Sequence, residues 1–229
     1  MRSRSGGGIW VIVPAYNEAR VIAGVISDLK RQGYRVVVVD DGSSDATGEA
    51  AAESGAIVLS HPINLGQGAA LQTGIEFALS RGAEFLVTFD ADGQHRAADI
   101  AVLIDALEAR RADFALGSRF LGGVVNMPAA RRLLLRAATL FMRLTTGLAL
   151  TDAHNGLRAM TRRGAQRIRL RQNRMAHASE IVAQIAASGL ALVEVPVTIE
   201  YSRYSLAKGQ RSGDLIVILL DLFARRLHS

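Results

Sequence analysis

A chain of 229 residues, 49% hydrophobic and 21% charged, can bury one sizeable core, which excludes a disordered tail and favours a single α/β domain. The lack of cysteine excludes a disulfide framework and a thiolate metal site, disfavours zinc and fits the cytosol. A net charge of +6 calls for an anionic partner, whether nucleic acid, a phosphorylated substrate or an acidic membrane face.

Met1 to Gly8 is basic and glycine-rich without an apolar h-region, so it reads as a loose tail rather than a signal peptide, with residues 9–229 forming one domain. A strand-then-helix rhythm follows. The predicted strands are Ile9–Val13, Arg35–Val39, Ala56–Ser60 and the run from Phe85 to Phe89, and the predicted helices are Glu18–Arg31, Ser44–Ser54 and Gly68–Ser80. Apolar strands alternating with helices over short links predict a Rossmann-like parallel sheet with helices on both faces.

Three of these strands end in polar clusters, and in open α/β sheets ligands bind beyond the carboxyl ends of the strands. The first ends in Pro14-Ala15-Tyr16-Asn17-Glu18. The second ends in Asp40-Asp41-Gly42-Ser43-Ser44-Asp45. Ser44 or Asp45 can cap the next helix, whereas Asp40 and Asp41 are candidates to bond the base or ribose of a nucleotide. The Phe85 strand breaks off at Asp90 and Asp92, followed by Gly93-Gln94-His95. This spacing presents two hard oxygen ligands, suited to Mg²⁺ or Mn²⁺ carrying a diphosphate, although Asp and Gly also make ordinary polar turns. Asn64-Leu65-Gly66-Gln67-Gly68 precedes a helix and can bring backbone N–H groups to a phosphate, but it matches neither the dinucleotide fingerprint nor a Walker A loop.

Taken in order with Gly117-Ser118-Arg119-Phe120, these five motifs resemble a family 2 glycosyltransferase of GT-A fold over nearly the whole chain. The nearest branch is that of the dolichyl- and polyprenyl-phosphate mannose synthases and their bacterial relatives. The resemblance implies a mostly parallel central sheet flanked by helices, and inverting transfer from a UDP- or GDP-sugar. By position it implies that Pro14, Tyr16, Glu18 and Asp41, with Asp40 beside them, line the base and ribose pocket, with Gly68 and Asp90 also on the donor side. Asp90, Asp92 and Gln94 would hold the metal, making Asp92 catalytic, while His95 contacts substrate or caps the turn.

Residues 9–118 thus form a donor half and 119–229 an acceptor half. Between Arg119 and Arg211 there are fifteen Lys and Arg against four acids (Asp152, Glu180, Glu194, Glu200). Asp113–Ser118 is another predicted strand, leading to Arg119, which in the family pattern faces the acceptor phosphate; Arg131 or Arg132 would be placed to bind that phosphate with it. Met127–Gly147 reads as an amphipathic helix opening at Pro128, with Arg132, Arg136 and Arg143 on one side and Leu134, Ala137, Phe141 and Leu144 opposite. Such a helix either packs on the core or lies on a membrane surface. The segment Asp152-Ala153-His154-Asn155-Gly156-Leu157-Arg158 resembles a family acceptor motif with Leu157 in place of an aromatic. Asp152 is a candidate general base for a sugar hydroxyl, or it orients Arg158 or coordinates water; His154 and His177 read as hydrogen-bonding residues. Glu194-Val195-Pro196-Val197 enters a strand, and the loop Tyr204–Gln210 can close over the donor through Lys208. Here Arg203 is displaced and Tyr204 intervenes relative to the mannose synthases, so sugar and base stay open. The apolar run Leu215–Leu227 is too short to span a bilayer and completes a set of C-terminal amphipathic helices.

The expectation is a metal-dependent inverting glycosyltransferase with a polyprenyl phosphate acceptor, peripheral at the inner face of the cytoplasmic membrane, with no nucleic-acid partner. A same-fold enzyme acting on a saccharide hydroxyl would make Asp152 the base. A nucleotidyltransferase would release pyrophosphate. A non-catalytic nucleotide-binding module leaves the acids at three strand ends unexplained.

Overall fold

The computed structural model describes residues 8–172 and 176–201. Strands β1 (Ile9–Ala15), β2 (Arg35–Asp40), β3 (Ile57–Ser60) and β4 (Phe85–Thr88) run parallel. All of β1 is buried. Its alternate residues feed two different cores, Ile9, Val11 and Val13 one and Trp10 and Ile12 the other, as a strand covered on both faces requires. Helices α1 (Ile22–Arg31), α2 (Thr47–Glu53) and α4 (Asp99–Arg110) cover the first face, while α3 (Gln67–Ser80), α5 (Ala129–Thr146), α6 (Arg162–Ala165) and α7 (His177–Ser188) cover the second.

Strands β5 (Phe114–Val125), β6 (Arg158–Thr161) and β7 (Leu192–Glu200) complete one seven-stranded sheet of order β3-β2-β1-β4-β6-β5-β7. The sheet is mostly parallel, as expected; only β6 runs against its neighbours. That reversal positions the site. The first residue of β6, Arg158, lies opposite Thr88, the last of β4, so β6 delivers its beginning to the edge where the other strands deliver their ends.

Several boundaries differ from the sequence reading for local reasons. β1 runs on through Pro14 and Ala15, which pair with Val39 and Asp40. The first helix starts at Ile22 instead of Glu18, because Asn17 takes a left-handed backbone (φ 53°) and the Glu18 amide donates to Thr47 Oγ1 at 2.8 Å. In α5 the buried face is Leu135, Ala138, Thr139 and Met142; of the expected face, Leu134 and Phe141 are half-buried, Phe141 against the second core, while Ala137 and Leu144 are exposed. Leu144 is 74% exposed. The helix is rotated so that one line of leucines faces solvent.

Candidate active site

Ends of β1, β2 and β4 meet at the carboxyl edge. Tyr16, just past β1, is 44% exposed there, whereas Pro14 is buried within the strand and Glu18 and Asp41 are buried beside it. The Asp41 carboxylate takes three donors, His61 Nδ1 at 2.7 Å, the Leu65 amide at 3.0 Å and the Gly66 amide at 2.7 Å. Asp41 therefore fixes the Asn64–Gly68 loop. Asp40 accepts from the Ser43 amide at 3.0 Å and closes the turn after β2. Asp45, expected as a cap, accepts from the Thr47 amide at 3.1 Å at the start of α2.

At the end of β4, Asp90 accepts from Gln67 Nε2 at 3.1 Å and lies 3.1 Å from His95 Nε2. His95 is held edge-on against Phe89, ring centroids 5.4 Å apart, which makes it a support for Asp90. Asp92 accepts from the Gln94 amide at 3.0 Å and from Gln94 Nε2 at 2.5 Å. Gln94 thus spends its side-chain N–H on Asp92. Burial alone would raise the Asp90 pKa, but the His95 hydrogen bond and the charges of His95, Arg158 and His177 hold it below its ordinary value. Asp92 is pushed up to about 6 by burial and by the neighbouring Asp90 charge. Two carboxylates so placed attract a cation. Glycine at position 156 is what lets Asp90 sit there, since a Cβ would fall 1.9 Å from Asp90 Oδ2. Among the described residues no three His, Asp or Glu side chains converge as a ready-made metal cage.

The second cluster is cationic. Arg119 is 6% exposed and donates through Nε to Asp152 Oδ2 at 2.6 Å, through Nη1 to the Tyr201 hydroxyl at 2.8 Å and through Nη2 to the His154 carbonyl at 2.9 Å. Burial opposes the Arg119 charge, yet Asp152 and Tyr201 more than offset it and raise its pKa. The Asp152 side chain is 0% exposed and also accepts from the Arg119 and His154 amides. The partner of the Asp152 carboxylate is thus Arg119 in place of Arg158. The Arg131 guanidinium lies over the Tyr201 ring at 4.9 Å, a cation–π contact. Arg119 and Arg131 are therefore brought together on one tyrosine, while Arg132 is exposed. Arg158, whose pKa burial lowers to about 10, feels both Asp90 and Asp152 and links the two clusters.

Gly68, expected on the donor side, has a packing reason. A Cβ there would lie 2.1 Å from the Gln172 carbonyl oxygen. His177 is buried at the start of α7, and Ser179 lies 3.4 Å from His154 Nε2. Lys208, Arg203, the Tyr204–Gln210 loop and the Leu215–Leu227 run lie outside the described residues. Sequence reasoning missed Tyr201, Gln67, His61 and the position of Arg158. A signal existed for Tyr201, since Val195, Val197, Ile199 and Tyr201 alternate and are all buried, which a period-two reading points inward.

A mostly parallel sheet of this order, with an acidic pair and a buried arginine cluster at one edge, defines a glycosyltransferase of the GT-A class. Residues 10–169 match Glycosyl transferase family 2, and the chain belongs to that family. It is 32% identical over 241 residues to the UDP-N-acetylglucosamine–dolichyl-phosphate N-acetylglucosaminyltransferase of Methanococcus voltae, covering 96% of this chain and 94% of the relative. It is 33% identical over 220 residues to the polyprenol monophosphomannose synthase of Mycolicibacterium smegmatis, covering 90% and 82%. Among solved structures, glucosyl-3-phosphoglycerate synthase from Mycobacterium tuberculosis in complex with Mg²⁺ and uridine diphosphate superposes with a TM-score of 0.70 at 21% identity, over 93% of this chain and 78% of that one.

Proposed function

We propose that this glycosyltransferase moves a sugar from a UDP- or GDP-sugar to a polyprenyl phosphate, with inversion and with Mg²⁺ or Mn²⁺. The observation that carries the acceptor class is the inward turn of Asp152 onto Arg119. A sugar hydroxyl needs a base, whereas an ionised phosphate oxygen attacks the anomeric carbon without one. The two relatives named for dolichyl phosphate and polyprenol support the same reading.

Asp90 and Asp92 would hold the cation; their hard carboxylate oxygens suit one, and the lack of a side chain at Gly156 leaves Asp90 its place. Bound there, it neutralises charge on the departing nucleoside diphosphate. Tyr16 presents its ring to the base, with Pro14, Glu18, Asp40 and Asp41 shaping the pocket behind it. With the preceding loop pinned by Asp41, the start of α3 would offer its N–H groups to the diphosphate, and Gln67 steadies Asp90. Gln94 steadies Asp92 and can complete its ligand shell through its amide oxygen. Arg119 and Arg131, joined through Tyr201, would bind the acceptor phosphate with Arg132 nearby, and Lys208 would close over the donor. Catalysis then consists of positioning and leaving-group stabilisation. The site of action would be the inner face of the cytoplasmic membrane; among the described residues no helix is long and apolar enough to cross a membrane.

The test offers polyprenyl phosphate, free polyprenol and a short oligosaccharide to the purified enzyme with UDP- and GDP-sugars, with and without chelator. Transfer to the phosphate alone, abolished by chelator, is expected. Transfer to the oligosaccharide alone would sink the acceptor assignment, and full activity in chelator would remove the metal.

A further inference from the structure

We propose that α5 docks flat on an anionic membrane, with its outward leucines inserted among the headgroups and its arginines on the lipid phosphates. This rests on the lipid-phosphate reading above and names the surface that would serve it. Leu133, Leu140 and Leu144 are 72%, 54% and 74% exposed. With exposed Ala137 they fall at i, i+4, i+7 and i+11, one stripe, opposite the buried Leu135, Ala138 and Met142. Scattered surface leucines are ordinary, but an aligned stripe marks an interaction face.

The flank of the stripe says what covers it. Arg132, Arg136 and Arg143 are all exposed along one side, and α5 contains no acid. Among the described residues none of the three is in an ion pair; Arg136 lies instead over the Phe120 ring at 5.6 Å, beside Leu121, itself 50% exposed. An apolar stripe edged by unpaired arginines matches an interfacial helix on anionic lipid. The same helix also carries the acceptor machinery. Arg131, in its first turn, stacks on Tyr201, which bonds Arg119.

The absence of cysteine makes the test direct. In the full chain, Leu140→Cys carries an environment-sensitive dye, and Ile57→Cys, 43% exposed on β3, is the control. Vesicles of phosphatidylcholine alone are compared with vesicles containing phosphatidylglycerol. The dye at position 140 should shift to the blue only with the anionic vesicles, less so in high salt, and the dye at 57 should not respond. The double variant Leu140→Ser, Leu144→Ser should bind those vesicles at least about tenfold more weakly, with nucleotide-sugar affinity unchanged by calorimetry.

A silent dye at 140, with or without vesicle binding elsewhere, overturns the proposal. So does a dye already blue-shifted and indifferent to vesicles, since a second copy or the chain's own Leu215–Leu227 run would then cover the stripe. Transfer to polyprenyl phosphate in detergent is measured alongside. Transfer with a silent dye removes only the docking surface, whereas a responding dye without transfer removes only the acceptor assignment.

Discussion

Asp152 shows how a residue's neighbours decide its chemistry. From the sequence it is a candidate base, because an acid in an acceptor segment has that option. In the structure its carboxylate neutralises a buried arginine, and removing one member of such a pair costs about 3–5 kcal/mol. Asp152→Asn should therefore raise the KM for the phosphate acceptor by at least about tenfold and leave the shape of the pH–rate profile intact. A loss confined to kcat, with the acidic limb of the profile gone, would restore the base. His154 makes a separate prediction at this scale. Burial and then the Arg158 charge lower its pKa from 6.5 to about 4. The unfolded chain thus binds a proton that the folded chain refuses, so stability falls as pH drops from 6.5 towards 4, by at most about 1.4 kcal/mol per pH unit. Denaturant melts of wild type and His154→Gln should converge towards acid, the variant losing less; parallel curves would show that His154 is protonated in the fold.

Among the elements, α3 has two tasks, and one glycine joins them. Its Gly74 lies so close to β1 that a Cβ would sit 2.3 Å from Ile12 Cγ2, while its first residue reaches Asp90. Gly74→Ala gains about 1 kcal/mol of helix propensity, but pushing α3 off a close-packed sheet costs about 1–3 kcal/mol. The expected result is a lower denaturation midpoint together with reduced transfer, because Gln67 moves with its helix; an unchanged midpoint would mean that the sheet gives way freely. The first four strands and three helices were legible because apolar runs and 3.6-residue spacing alternate between clear turn residues. β6 was not. It is four residues long with an arginine at its head, and its meaning comes from pairing antiparallel to β4. The acids at the strand ends were legible as a cluster, but their division of labour was not. Whether an aspartate stands beside another acid, like Asp90 and Asp92, or pins a backbone loop, like Asp41, depends on residues distant in sequence.

Over the whole molecule, charge is divided between two depths. The excess of Lys and Arg begins just past Ser118 and runs from Arg119 onward, but its members are not equivalent. Arg119 and Asp152 are 6% and 0% exposed, so solvent ions scarcely reach them. Arg132, Arg136 and Arg143 are exposed, and their attraction to an anionic surface is screened beyond a Debye length of about 8 Å in physiological salt. Each is worth about 1 kcal/mol near such a surface, and less as added salt shortens that length. Transfer to an acceptor carried in anionic vesicles should therefore decline steeply with ionic strength, while transfer to a short-chain acceptor phosphate in solution, which needs only the buried pair and Arg131, should decline little. Initial rates with both acceptors across a salt series measure the difference. Parallel decline would place the salt-sensitive step at the active site itself, and would leave the exposed arginines of α5 without a part in bringing enzyme and acceptor together.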